Sequence, residues 1–201
     1  MEAVFIYLDP LKEEKMKQTI RKYDEEVRDE IKNGDVLLYS GKKPIALLIR
    51  LITWSRYSHA GIVVRWNDRL MAMESIWPMV ILNPLSFSLE RYKGGVDWCS
   101  CIDEIPDDRR LEMIRFAQKE LGLRYSLLKL FAFLFMVFFK RKTTEEDRLK
   151  RYETQLTCSE YVARTYNSIG LDLMKHKADR FTTPKDIANS PLLGRKETLK
   201  K

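Results

Sequence analysis

The amino-acid sequence predicts one domain of the α+β class, in which an antiparallel β-sheet packs against helices. Short runs rich in valine, isoleucine and leucine, separated by turn residues, occupy residues 35–102, and apolar residues at helical spacing dominate before and after them. The 201 residues suffice for one core with a cleft, and a hydrophobic fraction of 45% excludes a disordered chain. The sequence contains no linker or internal repeat, so we expect a single domain over residues 1–201.

The first predicted element is an amphipathic helix over residues 11–32. Apolar residues recur every three or four positions within this charged stretch and form one stripe, made of Met16, Ile20, Tyr23, Val27 and Ile31. We expect the stripe to pack on the domain. A membrane-surface helix is the alternative, although its polar face mixes acidic and basic residues.

A turn at Asn33-Gly34 ends this helix and leads into the predicted sheet. Extended runs rich in β-branched and other apolar residues occupy residues 35–39, 60–66, 70–74, 79–82 and 96–102. In the last run, the alternation of side chains places Cys99 and Cys101 on one face and Trp98 on the other.

Three further helices are predicted. Residues 45–54 are apolar except for Arg50, which indicates a mostly buried helix that starts at a proline. A second helix starts at residues 106–108, where acidic residues suit the positive helix end, and it stops at Gly122. The third covers residues 159–169 and begins directly after a cysteine.

A segment over residues 127–153 is inserted between the last two helices. Its first part, residues 127–139, is apolar except for Lys129 and too short to span a bilayer, and the basic residues 140–142 follow it. The segment is either a buried hydrophobic helix or one that docks on an anionic membrane surface or lines an acyl-chain groove. At the chain's end, residues 191–201 are expected to form a flexible tail.

The composition narrows the classes of partner and compartment. Lysine and arginine number 36 against 29 for aspartate and glutamate, and the resulting net charge of +7 suits an anionic partner. The sequence has no Gly-rich phosphate loop, aromatic platform or concentrated basic helix, so nucleic acid is not an expected partner. Three cysteines cannot all pair within one chain, and the N-terminus lacks a basic n-region. We therefore expect a cytoplasmic location, peripheral to a membrane if residues 127–142 dock there.

Cys158 and His59 are the residues that suggest chemistry. Cys158 stands at the start of a predicted helix, whose unpaired amides favour the thiolate that a nucleophilic cysteine needs. His59 follows a polar loop and precedes a strand, where an imidazole can face a cleft and act as a base. The other histidine, His176, lies between two lysines and is the poorer candidate. A buried structural cysteine and an ordinary polar histidine are the alternatives.

These residues lie in motifs that resemble a known family. Residues 118–125, QKELGLRY, together with Cys158-Ser159 and the Ile-Gly-Leu at residues 169–171, resemble the first half of the NlpC-type cysteine peptidases of the papain-like superfamily. Residues 34–38, GDVLL, and 58–63, SHAGIV, resemble the second half. Here the second half comes first, so the sequence is similar to the circularly permuted branch, and most similar to YiiX-like proteins, over about residues 33–173.

The resemblance implies a permuted papain-like fold and assigns a role to each site residue. Cys158 would be the nucleophile and His59 the general base. Glu74, on the strand after the histidine strand, would orient the imidazole, and the hydroxyl of Tyr125 would join the Cys158 N–H as an oxyanion donor. Such a site needs no metal or cofactor.

The implied activity is that of a thiol hydrolase, a cysteine peptidase or amidase that acts on a cell-wall peptide, a peptidoglycan fragment or a related acyl amide. Two departures leave the substrate open: Thr157 and Glu160 replace the acidic or amide residue and the glycine that flank the cysteine in the family's cell-wall peptidases. Residues 127–153 also replace a short Gly-rich loop. The alternative enzyme is a lipid amidase, acyltransferase or thioesterase-like protein at a membrane surface.

A protein without catalytic activity is the remaining alternative. Cys99 and Cys101 with Cys158 and a histidine would form a metal-binding module, although one intervening residue is not the usual zinc spacing. A degenerate enzyme that only binds its ligand is the other form of this alternative.

Overall fold

The computed structural model describes residues 27–126, 155–175 and 177–201. The strands in this part of the chain are β1 Val36–Gly41, β2 His59–Trp66, β3 Arg69–Ser75, β4 Val80–Pro84, β5 Gly94–Cys101, β6 Arg124–Tyr125, β7 Gln155–Leu156 and β8 Leu193–Lys200. Six of them form one sheet, in which all neighbours are antiparallel and the order is β4-β3-β2-β1-β5-β8. The short strands β6 and β7 pair in parallel beside it.

The helices of the same part are α1 Pro44–Thr53, α2 Leu85–Arg91, α3 Asp107–Lys119, α4 Cys158–Asn167 and α5 Pro184–Ala188, with a 3₁₀-helix at Asp179–Phe181. A six-stranded antiparallel sheet with several helices confirms the predicted α+β class. The predicted strands from β1 to β5 and the helices α1, α3 and α4 all exist, with ends that differ by one to three residues.

The sheet is buried on both faces. Helices α3 and α4 cover one face, and α2 with Val27 and Ile31 covers the other. In β5, Cys99 and Cys101 lie in the first core and Trp98 in the second, as the alternation predicts. The sheet therefore provides the surface against which α3 and α4 pack.

Gly34 and Asp35, directly before β1, connect the sheet to the helices α3 and α4. The buried carboxylate of Asp35 accepts a hydrogen bond from Trp98 Nε1 at 2.8 Å and lies 3.4 Å from Arg110 Nη1 of α3. Directly before it, Gly34 adopts φ +86°, and its carbonyl accepts a 2.8 Å hydrogen bond from the Tyr166 hydroxyl of α4. The Gly-Asp pair therefore has a structural role: it fixes α4 relative to β1.

The expectation of a flexible tail over residues 191–201 is wrong. Residues Leu193–Lys200 form β8, which pairs antiparallel with β5 along the edge of the sheet. Leu199 is buried in the second core, and the Thr198 hydroxyl donates to Asp97 of β5 at 2.7 Å. The charged residues that suggest a tail lie on an edge strand, where charge is common because it prevents pairing with other chains.

The prediction that the helix over residues 45–54 is mostly buried is also wrong. Ile49 and Thr53 are buried, but the apolar side chains on its outer face are exposed: Ile45, Leu47, Leu48 and Leu51, with Trp54 directly after the helix. Helical spacing predicts the helix itself, but an all-apolar helix gives no information about which of its faces is covered.

Some expectations fall on residues outside the described ranges. These are most of the helix over residues 11–32, the whole insert over residues 127–153, and His176. Of the first helix, residues 27–32 are described: they form a turn and an extended connection, with Val27 and Ile31 buried. Within the described ranges, no helix has both the length and the apolar character needed to cross a bilayer.

Candidate active site

Cys158 is the first residue of α4, and a capping box fixes the start of this helix. The N–H of Glu160 donates to Thr157 Oγ1 at 3.4 Å, and the N–H of Thr157 donates back to Glu160 Oε2 at 3.3 Å. The N–H of Cys158 falls in the first turn, where a helix offers no acceptor for it. The thiol therefore lies at the positive end of the helix, which favours the thiolate.

His59 lies against this thiol at the first residue of β2. The two groups are close enough to interact: the charge of the imidazole acts on the Cys158 thiol, and the backbone of Ala60, the next residue, also acts on it. On the other side of the ring, Nε2 lies 2.7 Å from Oε2 of Glu74. Because Nε2 is engaged by the carboxylate, Nδ1 is the ring nitrogen that remains for the sulfur.

Glu74 of β3 is held by two donors. While Oε2 accepts from His59, Oε1 accepts a 3.0 Å hydrogen bond from the hydroxyl of Tyr39 in β1. The carboxylate passes over Gly61 of β2, where a Cβ atom would lie only 2.8 Å from Glu74 Cγ. The glycine of the Ser-His-x-Gly motif therefore makes room for the carboxylate that orients the histidine.

Cys158 and His59 each favour the charged form of the other. Burial alone raises the pKa of the Cys158 thiol, but the positive charge of His59 and the hydrogen bonds from His59 and Ala60 outweigh it and lower the pKa. Burial lowers the pKa of the His59 imidazole, whereas the thiolate charge and Glu74 raise it, and the net pKa is raised. The interaction between the two groups therefore favours a thiolate and an imidazolium over the two neutral forms.

Tyr125 lies near Cys158 because of the small parallel pair β6 and β7. Tyr125 pairs with Leu156, two residues before Cys158, and the N–H of Tyr125 donates to the Pro78 carbonyl at 2.8 Å. Burial raises the pKa of the Tyr125 hydroxyl, and the charge of the Cys158 thiolate raises it further. The hydroxyl is therefore a protonated donor close to the sulfur.

The structure thus brings together all four residues that the sequence suggests: Cys158, His59, Glu74 and Tyr125. Sequence reasoning missed Tyr39, which also places its ring 5.0 Å from the His59 ring. The position of Tyr39 opposite His59 is a consequence of the β1–β2 register, and no local motif signals it.

Sequence reasoning also missed Tyr92, which follows α2. Its ring packs edge-on against the Tyr39 ring at 4.8 Å, and its hydroxyl lies near Ser58. Burial raises the pKa of Tyr92 to about 12, and the nearby charges of Glu74 and Cys158 contribute to the increase. Ser58 itself donates to the Tyr39 carbonyl at 3.3 Å, so these residues support the base of the loop that carries His59.

The other two cysteines have a different environment. Burial raises the pKa of the Cys99 thiol to about 12, and burial also raises the pKa of Cys101. Both lie in the core between the sheet and the helices α3 and α4 and are not in disulfides. Burial therefore disfavours the thiolate at Cys99 and Cys101, whereas the surroundings of Cys158 favour it.

Comparison with known proteins identifies the fold. No family model and no curated protein sequence matches the chain. Among solved structures, the metalloprotein YiiX from Escherichia coli O157:H7 matches with a TM-score of 0.64 and 17% sequence identity, over 83% of this chain and 97% of that chain. The fold is therefore YiiX-like, which confirms the resemblance at the level of the fold.

YiiX is called a metalloprotein, which raises the question whether side chains of this chain could hold a metal ion. In the described part of this chain, no three histidine, cysteine, aspartate or glutamate side chains form a group that could hold a metal ion. The described residues therefore do not fit a metal site, including one built on Cys99, Cys101, Cys158 and His59, while His176 lies outside the described residues.

Proposed function

We propose that this chain is a cysteine-dependent amide hydrolase with Cys158 as the nucleophile. The observation that carries the proposal is the arrangement of Cys158, His59 and Glu74, in which Glu74 Oε2 lies 2.7 Å from His59 Nε2 and the charge of the imidazole lowers the pKa of the Cys158 thiol. A helix-terminal thiolate, a base and a group that orients the base are the components of nucleophilic acyl transfer. A buried structural cysteine requires none of them.

In the proposed reaction, the Cys158 thiolate attacks the carbonyl carbon of an amide and forms a tetrahedral intermediate. The Cys158 N–H and the Tyr125 hydroxyl stabilise its oxyanion. The His59 imidazolium gives its proton to the leaving amine, and the C–N bond breaks to leave a thioester on Cys158. His59 then takes a proton from water, which attacks the thioester and releases the acid and the thiolate.

The same proposal describes the fold as a permuted papain-like arrangement within a single domain. The histidine strand and the Glu74 strand precede the cysteine helix in the chain, so the two halves of the site occur in the reverse of the usual order. Residues 33–173 form the catalytic core, and β8 extends its sheet. We propose a peptide amide as the substrate, in a cell-wall peptide or a related acyl amide.

The test uses the selectivity and the pH dependence of alkylation. Iodoacetamide should modify Cys158 faster than Cys99 or Cys101, with the sites separated by peptide mass spectrometry. In the wild type, the rate at Cys158 should fall off at a lower pH than the rates at Cys99 and Cys101, because the pKa of the Cys158 thiol is lowered and the pKa values of the other two are raised.

His59→Ala removes the group that lowers this pKa and leaves burial, which raises it. Labelling of Cys158 at pH 7 should therefore fall by about tenfold for each unit that the thiol pKa rises, and recover at alkaline pH. Hydrolysis of peptide, acyl-amide and lipid-amide probes, compared with Cys158→Ser, then identifies the substrate class. Equal, slow labelling of all three cysteines in the wild type would contradict the proposal.

A further inference from the structure

The outer face of α1 is an exposed apolar surface. Its ten residues are apolar except for Arg50 and Thr53, yet 68% of Leu51 and 84% of the following Trp54 are exposed. An all-apolar helix in a soluble domain is normally buried. A contiguous exposed apolar patch normally marks a surface that meets another molecule.

This helix is held rigidly, so its exposure is not that of a loose loop. The segment between β1 and β2 is closed at its base by Ser58, whose N–H donates to the Tyr39 carbonyl at 2.8 Å and whose hydroxyl accepts from the Gly41 N–H at 3.1 Å. Arg50 Nη1 also donates to the Gly41 carbonyl at 3.1 Å. The apolar face is therefore presented in one orientation.

Trp54 ends the helix in a conformation that bulky residues rarely adopt. Its φ is 49° and its ψ 51°, in the left-handed region, where glycine is the usual residue. A tryptophan there costs backbone strain and gains no burial, since most of its side chain is exposed. Strain of this kind is found where a side chain serves a function other than folding.

The charge around the helix identifies the kind of partner. The sequence contains no aspartate or glutamate between residues 36 and 67, and Lys42, Lys43 and Arg56 are exposed at the two ends of the helix. Lys42 also lies close to Lys200, while Glu90 is the acidic group near them. An apolar face with basic ends is complementary to a lipid surface that carries negative head groups.

We propose that the outer face of α1, with Lys42, Lys43 and Arg56, docks on a bilayer that contains anionic phospholipids. At ten residues the helix is about 15 Å long, so it would lie in the interface and not cross it. Leu51 and Trp54 enter the boundary between head groups and acyl chains, and the basic side chains contact phosphates. The helix leads directly to Ser58 and His59, so docking places the candidate active site next to the membrane.

Vesicle co-sedimentation with the full-length protein tests this surface. The protein should pellet with vesicles of phosphatidylcholine and phosphatidylglycerol and stay in the supernatant with phosphatidylcholine alone, and salt should weaken the binding. Tryptophan emission should shift to shorter wavelength on binding. Trp54→Phe should abolish this shift and keep the binding, while Trp66→Phe should keep both.

Two double variants test whether vesicle binding requires the outer face of α1 or only exposed apolar side chains anywhere on the surface. Leu51→Glu with Trp54→Glu should reduce binding at least about tenfold, because the two side chains that enter the membrane become charged. Ile102→Glu with Trp66→Glu makes the same changes at side chains that are 64% and 56% exposed elsewhere, and it should bind like the wild type. Circular dichroism and thermal melting check that both variants fold.

Several outcomes would overturn the proposal: no pelleting of the wild type with anionic vesicles, equal pelleting of the two double variants, or a shift that survives in Trp54→Phe. A dimer that forms in sedimentation and is lost only in the Leu51 and Trp54 variant, without vesicle binding, would show that a second copy occupies the face. Binding does not depend on catalysis, so Cys158→Ser should bind normally; failed hydrolysis and failed docking are separate results.

Discussion

At the scale of single residues, the site depends on the carboxylate of Glu74, whose two oxygens accept hydrogen bonds from two different side chains. Glu74 accepts from His59 with one oxygen and from the Tyr39 hydroxyl with the other, so it cannot rotate without losing a buried hydrogen bond. This fixes the imidazole plane and leaves its second nitrogen for Cys158. Gly61 is part of the same arrangement, because its missing side chain is the space that the Glu74 stem occupies.

Gly61→Ala should therefore impair the site more than the fold. The new Cβ atom would lie 2.8 Å from Glu74 Cγ and 3.2 Å from the Met73 carbonyl oxygen, so Glu74 must move away from His59. We expect hydrolysis and Cys158 alkylation at pH 7 to fall about tenfold or more, with about 1–3 kcal/mol lost in the free energy of unfolding.

Gly194→Ala is the matched control for this change. Its Cβ atom would meet nothing closer than Ile102 Cγ1 at 3.5 Å, which is an ordinary contact. Reactivity and stability should stay near those of the wild type. If Gly61→Ala kept full reactivity, the contact between Glu74 and His59 would not matter for the thiol.

At the scale of elements, the N-terminus of α4 links local folding to chemistry. Thr157 and Glu160 satisfy each other's backbone groups, so the first turn is formed and Cys158 is held at the helix end. The same pair replaces residues that the family's cell-wall peptidases carry at these positions. Its presence is explained by capping alone, and it does not argue against a nucleophile.

Thr157→Ala should lower both stability and reactivity. Loss of the cap costs about 1 kcal/mol in unfolding free energy, and fraying of the first turn moves the thiol away from His59. Thr183→Ala removes an equivalent capping box from α5, so it should cost a similar amount in urea unfolding and leave Cys158 alkylation unchanged. A similar loss of alkylation in both variants would mean that general destabilisation, and not the helix end, controls the thiol.

The elements also show what a single sequence can predict. Helical spacing and alternation are local, so α4, β2 and β3 were predictable, and Cys158 and His59 were candidates from their positions at the start of a helix and of a strand. Glu74 and Tyr125 were predicted only through the resemblance to the NlpC-type peptidases. Tyr39 and Tyr92 join the site only through strand register and helix packing, which involve distant residues. The exposure of α1 was not predictable either, because the spacing of its apolar residues is the same whether a partner covers it or not.

At the scale of the whole molecule, the C-terminal strand and the active-site loop share one anchor. Asp97 of β5 is buried and accepts a hydrogen bond from Thr198 of β8 and another from the Tyr57 hydroxyl, two residues before His59. Arg56 and Arg195 lie 3.3 and 3.6 Å from the same carboxylate. Pairing of β8 therefore supports the loop that leads to His59, although the two are distant in sequence.

This linkage predicts that the end of the chain contributes to global stability. Leu199→Ala removes a buried side chain from the core that Trp98 and Leu37 also line, so it should cost about 2–4 kcal/mol in the free energy of unfolding. Lys196→Ala changes an exposed residue of the same strand and should change it by less than about 0.5 kcal/mol. Urea unfolding followed by tryptophan fluorescence measures both. A tail that does not pair would give the same small effect for the two variants, so a difference between them identifies β8 as part of the fold.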